Sequence, residues 1–362
     1  MGGYFRNHNM IKLFLLSAFS DFFPASSCIS QLTNPLTNYH VFDCQFFHLT
    51  RSANGGVIAF SSVAVQVVIE SCIFHNCSVT TTSFNGGAIF FSCNPGSLVL
   101  SKICASRCQI TGSSSKHGLF LYSSAGNQNI ILMLSLYHSV QTVVGSQQSP
   151  IFMDLGIQQV KYLNSSYNSA NKYSVMYSVS SSELLHEFNN YVHCRTNSFS
   201  AVHLSNSPTN LIRNCNFFNN TSPEVVTGGV LTCTTTQFNV YACVFAQNYN
   251  ILLFGNISVS NSWIQHNETI SSGLVSILSS TISTESVAPT YEIFHFSTAF
   301  CMIPTPAPTI QPTLENMFCT PAQTIPPLPT ECYYTDQNMK ILSLKSILNF
   351  ASLATIIPIY GM

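Results

Sequence analysis

A short strand that closes in Asn or another small residue recurs along this chain between Tyr39 and Asn267. Clear copies read Cys72-Ile-Phe-His-Asn-Cys77, Cys215-Asn-Phe-Phe-Asn-Asn220 and Cys243-Val-Phe-Ala-Gln-Asn248. A unit this small cannot bury its apolar face alone. It must stack on its neighbours, so the repeat selects a solenoid before any local propensity is weighed.

Aligned on the closing residue, the copies end at Leu49, Cys77, Cys108, Ser139, Asn168, Asn197, Asn220, Asn248 and Asn267, a period of about 28 residues. Three residues earlier stands an apolar column: Phe46, Phe74, Ala105, Leu136, Ser165, Cys194, Phe217, Phe245 and Ile264. Two residues before that comes another: Cys44, Cys72, Ile103, Leu134, Leu163, Val192, Cys215, Cys243 and Ser262. A spacing of two places both columns on one face of a strand.

A second apolar strip follows each ending, as in Gly55-Gly-Val-Ile, Gly86-Gly-Ala-Ile, His117-Gly-Leu-Phe and Gly228-Gly-Val-Leu. Its glycines supply positive φ or close backbone approach at a corner. No segment carries the helical period, and tight hairpin signals are few. Equivalent strands recurring once per unit predict an all-β chain: a right-handed parallel β-helix of about nine coils, roughly 43 Å long at about 4.8 Å per level.

The register assigns roles. Phe46, Phe74, Phe217 and Phe245 fill the lumen, and Cys44, Cys72, Cys215 and Cys243 stack there as small apolar groups. Asn168, Asn197, Asn220, Asn248 and Asn267 form a ladder in which each amide satisfies a neighbouring turn. Cys215 and Cys243, one coil apart, come close enough for a disulfide, although free stacked thiols are the preferred reading.

The alternation of Gly-Gly-Ala-Ile with Phe-x-x-Asn resembles the repeats of chlamydial polymorphic outer-membrane proteins and of related β-helix surface proteins in trichomonad-type parasitic protists. The residues that carry it are Gly86–Ile89, Gly228–Leu231, Phe217–Asn220 and Phe245–Asn248, with Phe74–Cys77 as a variant. The likeness covers roughly residues 39–290, and its motifs are degenerate between about Ser139 and Asn197. It implies a surface-displayed adhesin or passenger whose partners are host glycans or proteins.

Composition agrees with an exported chain. Of 362 residues 14 are Cys, an unusual load for a reduced cytosolic enzyme. Sequons at Asn76, Asn164, Asn219 and Asn256 fall where a glycan could project, whereas those at Asn220 and Asn267 coincide with inward ladder positions. Only 7% of residues are charged, and the net charge of −1 gives no footprint for nucleic acid. Residues 1–27 read as a signal peptide or N-terminal cap, with translation starting at Met1 or Met10, and 28–300 as the β-helix. Residues 301–340 are a Pro/Thr-rich, Cys-containing linker, and the apolar tail 341–362, with Ile341–Ile359 at its centre, is a weak membrane-anchor candidate. A chain cut from a longer surface protein is a further reading.

The β-helix also suits polysaccharide lyases and hydrolases, which is the alternative function. Glycoside hydrolysis wants two positioned carboxylates. The aspartates Asp21, Asp43, Asp154 and Asp336 stand apart in sequence, and Glu183 with Glu187, flanking His186 in a Ser/Glu loop, is the nearest acidic pair. The Cys and His spacings match no common metal site, and no nucleotide-binding fingerprint occurs. The expectation is therefore a non-enzymatic chain with no catalytic residues, no metal and no cofactor.

Overall fold

The structure, a computed structural model, describes residues 38–42, 44–61, 64–80, 84–111, 117–139, 149–208, 210–222, 228–265, 271–284 and 301. The expectations for residues 1–27, for the linker beyond Cys301 and for Ile341–Ile359 fall outside these residues. Everything below belongs to the first of two compact units, Met1–Pro304.

Among the described residues the chain is all-β, without an α-helix, and forms a parallel β-solenoid. Three sides recur. The first includes Val65–Glu70, Glu183–Glu187 and Asn210–Arg213. The second includes Ile73–His75, Asn190–Val192 and Val244–Ala246. The third includes Ile89–Cys93, Leu121–Ala125 and Ser200–Ser205. In places the first two sides are one bent strand, as in Gly96–Ser106 and Gln128–Tyr137.

One inward column on the second side fixes the register. It pairs Phe46 with Phe74, then Ala105, Leu136 and Ser165. It continues through Tyr191, Phe217, Phe245, Ile264 and Ile282. The solenoid makes about six turns, fewer than the nine coils expected, and Thr281–Ser283 adds a strand beyond the last motif copy. Aromatic rings stack directly: Phe46 on Phe74 at 4.9 Å and Phe217 on Phe245 at 4.7 Å between centroids. Phe74, Phe217, Phe245 and Tyr191 are at most 1% exposed. Burying one such side chain contributes about 1.5–3 kcal/mol, so the column is a main source of stability.

One level departs from the sequence-based register. Asn197 was expected in the Asn ladder, but it is exposed, and the position belongs to buried Cys194. Cys194 was expected in the Phe column, where Tyr191 stands instead. Val192, expected in the column of Cys72 and Cys215, lies on the strand's other face, and Asn189 takes that place. The slip is three residues. It arises because Tyr191-Val-His-Cys194 is a Phe-x-x-Asn copy with both anchor residues changed.

The glycine corners show why the early levels need them. Gly55, Gly86 and Gly118 have φ of 68°, 71° and 79°. A Cβ on Gly56 would lie 2.2 Å from the carbonyl oxygen of Gly87, and one on Gly87 2.0 Å from that of Leu119. Asn54 and Asn85 cap these corners, accepting from the backbone N–H of Asn85 (2.8 Å) and of His117 (3.0 Å) one level on. The first levels therefore have an Asn ladder of their own, at a different corner.

Candidate functional site

Each end of the second side is a corner built the same way. A residue with left-handed backbone turns the chain, and the next residue points inward and ties the corner to the level before it. At one corner the inward residues are Cys77, Cys108, Asn168, Cys194, Asn220 and Asn248. Asn168 takes the N–H of Ser139 at 2.8 Å and donates to the carbonyl of Leu136 at 3.2 Å. Asn220 takes the N–H of Cys194 at 2.9 Å and donates to Tyr191 O at 2.8 Å. Asn248 does the same to Asn220 N (2.9 Å) and Phe217 O (2.9 Å). Asn267 lies outside the described residues.

The thiols repeat half of this pattern. Cys77 points at Phe46 O, Cys108 at Phe74 O and Cys194 at Ser165 O, at 3.6, 3.9 and 3.6 Å. At the other corner Cys72, Cys215 and Cys243 each point at a carbonyl 3.8 Å away, on Val41, His186 and Ile212. Cys215 and Cys243 are buried free thiols, Cys72 is buried and Cys44 is half-buried. Burial and the neighbouring Cys243 hold the Cys215 thiol well above its ordinary range, and burial lifts Cys194 to about 11. The Cys194 and Cys215 sulfurs therefore stay protonated and act as weak donors. A disulfide joins Cys104, on the outer face of the second side, to Cys301, with Cα atoms 5.3 Å apart.

The left-handed residues themselves face outward. At the corner before the Asn column they are His48, Asn76, Arg107, His138, Tyr167, His193, Asn219 and Gln247, all with φ between 51° and 54°. Such a backbone costs about 1–2 kcal/mol for most side chains and least for Asn or Gly. His is tolerated there as Asn is, whereas Arg107 and Tyr167 are not explained by the turn. The rings stack along the corner: His138 on Tyr167 at 5.5 Å and 14°, then Tyr167 on His193 at 4.8 Å and 15°. Tyr167 remains 51% exposed.

Beside this stack Asn76, Arg107, Gln109 and His138 line a cavity of about 290 Å³. The Asn76 amide donates to His48 Nδ1 at 2.8 Å. The Arg107 guanidinium makes no hydrogen bond or ion pair among the described residues. Below it His75 holds Ser106 Oγ at 2.8 Å. Burial, then the neighbouring His48 and Arg107, push the His75 imidazole below its ordinary pKa, so it stays neutral. The cavity thus presents the Arg107 cation with no carboxylate among its four lining residues. The sequence motif alone did not single out Arg107, Gln109, His138 or Tyr167. Reading the residue before each ending would have found all but Gln109.

The acidic candidates stand on two different sides of the solenoid. Glu183–Glu187 is a strand, where a loop was expected. Its alternation buries His186 in the interior, with Nδ1 3.0 Å from Tyr191 Oη, while Glu183 and Glu187 face outward. Glu187 is held by Lys161 at 2.8 Å and by Arg213. Burial alone would raise its pKa; these two cations outweigh that and lower it. Asp154 stands on the third side, raised by burial against hydrogen bonds from Leu155 N, Ser180 and Ser124. Beside it Tyr122 stacks on Phe152 at 4.9 Å. Among the described residues no three His, Cys, Asp or Glu side chains gather as metal ligands would.

The sequon residues Asn76, Asn164, Asn219 and Asn256 are partly exposed, whereas Asn220 is fully buried. No described helix is long and apolar enough to cross a membrane. Set against known proteins, the chain matches no family model, no curated protein and no solved structure.

Proposed function

We propose that this chain is a non-catalytic surface or secreted solenoid that works by display and adhesion, binding host-surface glycans or proteins. The observation that carries the reading is the outward corner stripe from His48 to Gln247. It lines up three His rings with Arg107, Tyr167 and Gln247 at outward left-handed positions, and Arg107 and Tyr167 are residues that this backbone does not favour. They are the side chains a binding surface uses, and they repeat at the spacing of the levels. The Gly-Gly-Ala-Ile and Phe-x-x-Asn copies support the same reading by their likeness to surface proteins of parasitic protists.

Cell-surface biotinylation of intact producing cells, together with binding of the purified chain to host cells, tests the proposal. Labelling of the chain and saturable binding are expected. An intracellular chain that binds neither cells nor glycans would overturn it.

A further inference from the structure

Three places outside the fold's own bonding invite a function. In the Lys161–Glu187–Arg213 cluster both cations are already held by the one carboxylate, which leaves no unpaired group. The third-side aromatics around Asp154 are packed on one another, with Phe90 and Phe152 each 7% exposed, and read as an outer zipper. The cavity at the ring-stacked corner differs from both, because its cation is unpaired and its mouth is open to solvent.

We infer that this cavity is a subsite for an acidic saccharide, one bearing a carboxylate or a sulfate. The inference rests on the adhesion reading and gives it a ligand class. Arg107 supplies the charge: its planar fork of donors matches a carboxylate or sulfate in two parallel hydrogen bonds, and no side chain among the described residues competes for it. None of the four lining residues is acidic. The Asn76 and Gln109 side chains offer amide donors and acceptors suited to ring hydroxyls. His138 forms the wall, and its ring is braced from behind by Tyr167 at 5.5 Å. A volume of about 290 Å³ exceeds what a bare oxyanion needs and is near the lower size of small-molecule pockets. That excess is the argument for a sugar over a simple anion.

Asn76 is also a sequon residue, and its amide nitrogen is engaged by His48. A glycan attached there would occupy the cavity mouth. The subsite therefore requires Asn76 to be unmodified in the binding-competent chain.

Binding of the intact, disulfide-bonded chain should be measured with paired probes: sialyllactose against lactose, and a heparin-derived tetrasaccharide against its desulfated form. Inorganic sulfate serves as a competitor. One acidic member should bind more tightly than its neutral partner, which identifies the carboxylate or the sulfate source, and its affinity should fall with added salt. Arg107→Gln should weaken that probe by about tenfold or more, with the circular dichroism spectrum unchanged. Arg195→Gln, at an exposed arginine outside the cavity, should leave binding intact. Equal affinity for acidic and neutral probes, or an Arg107→Gln chain that binds like the parent, overturns the inference. So does a result in which sulfate alone competes at its own weak affinity and no sugar is preferred. If the chain still binds host cells in those cases, the adhesion reading survives; loss of cell binding altogether removes both.

Discussion

At the scale of single residues, the fold depends on what an inward side chain can do for the corner one level away. An Asn amide both accepts and donates, so Asn220 satisfies Cys194 N and Tyr191 O together. A thiol can only half-substitute, donating weakly to the equivalent carbonyl, as Cys194 does to Ser165 O. Removing the amide leaves a buried N–H and a buried C=O unpaired. Asn220→Ala or Asn248→Ala should therefore cost about 1–3 kcal/mol in urea unfolding. Asn197→Ala, at an exposed position, should stay within about 0.5 kcal/mol. Equal losses at Asn197 and Asn220 would place the ladder elsewhere. Glycopeptide mapping supplies a second check, since the fully buried Asn220 should carry no sugar despite its sequon.

At the scale of the strand and its corner, the period-two columns were readable because burial demands apolar residues at fixed spacing, and Phe46, Phe74, Phe217 and Phe245 meet that demand. The sixth level was misread because Tyr191 and Cys194 do the work of Phe and Asn with different atoms, while exposed Asn197 supplies the expected letter in the wrong place. The ring-stacked corner was legible only in part. A left-handed residue leaves no compositional mark when it is Arg107 or Tyr167, and Gln109 joins the cavity only through three-dimensional neighbourhood. The polar interior also escaped the sequence: Asn129 and Gln158 sit on an apolar-looking strip yet donate to Leu155 O, both at 3.1 Å. One prediction belongs to a corner and one to the strands. Gly87→Ala drives a Cβ against the backbone oxygen of Leu119 and should lower the melting temperature well beyond an exposed control such as Asn197→Ala. Acid should destabilise the solenoid, because burial lowers His186 to about 3 and His203 to about 4. A histidine with a depressed folded pKa contributes stability present above its unfolded value, near 6.5, and lost as pH falls toward the folded one. Glu187, also lowered, adds a loss at the acid end of that range, whereas raised Asp154 acts in the opposite sense. The urea midpoint should drop between pH 7 and pH 4.5, by about 1–3 kcal/mol equivalent, and His203→Gln should reduce that drop. A midpoint that rises on acidification would contradict the burial of these rings.

At the scale of the whole solenoid, stability is close to a sum of level-to-level interfaces, and a covalent link across many levels changes that sum. Cys104 and Cys301 are 197 residues apart in sequence, so their bond restrains most of the unfolded chain. The chain-entropy argument gives about 5 kcal/mol for so long a loop. Nothing in the spacing of either cysteine announced the pairing, since Cys104 lies outward beside an inward repeat and Cys301 follows the last motif copy. Cys301→Ser should lower the unfolding midpoint, and reducing agent should lower the wild type toward the same value while leaving the variant in place. All of these expectations depend on which residues stand above one another, and the corrected sixth level is where that is most exposed to test. Ser166 pairs with Val192 on the outer face of the second side, whereas the register built on Asn197 would pair Ser166 with Arg195. Parallel neighbours in register lie near 5 Å, within disulfide reach. Peptide mapping of two double-cysteine variants reads the answer directly. Ser166→Cys with Val192→Cys should cross-link on mild oxidation, and Ser166→Cys with Arg195→Cys should not. The reverse outcome would contradict the stacking from which both the ladder and the ring-stacked corner are derived.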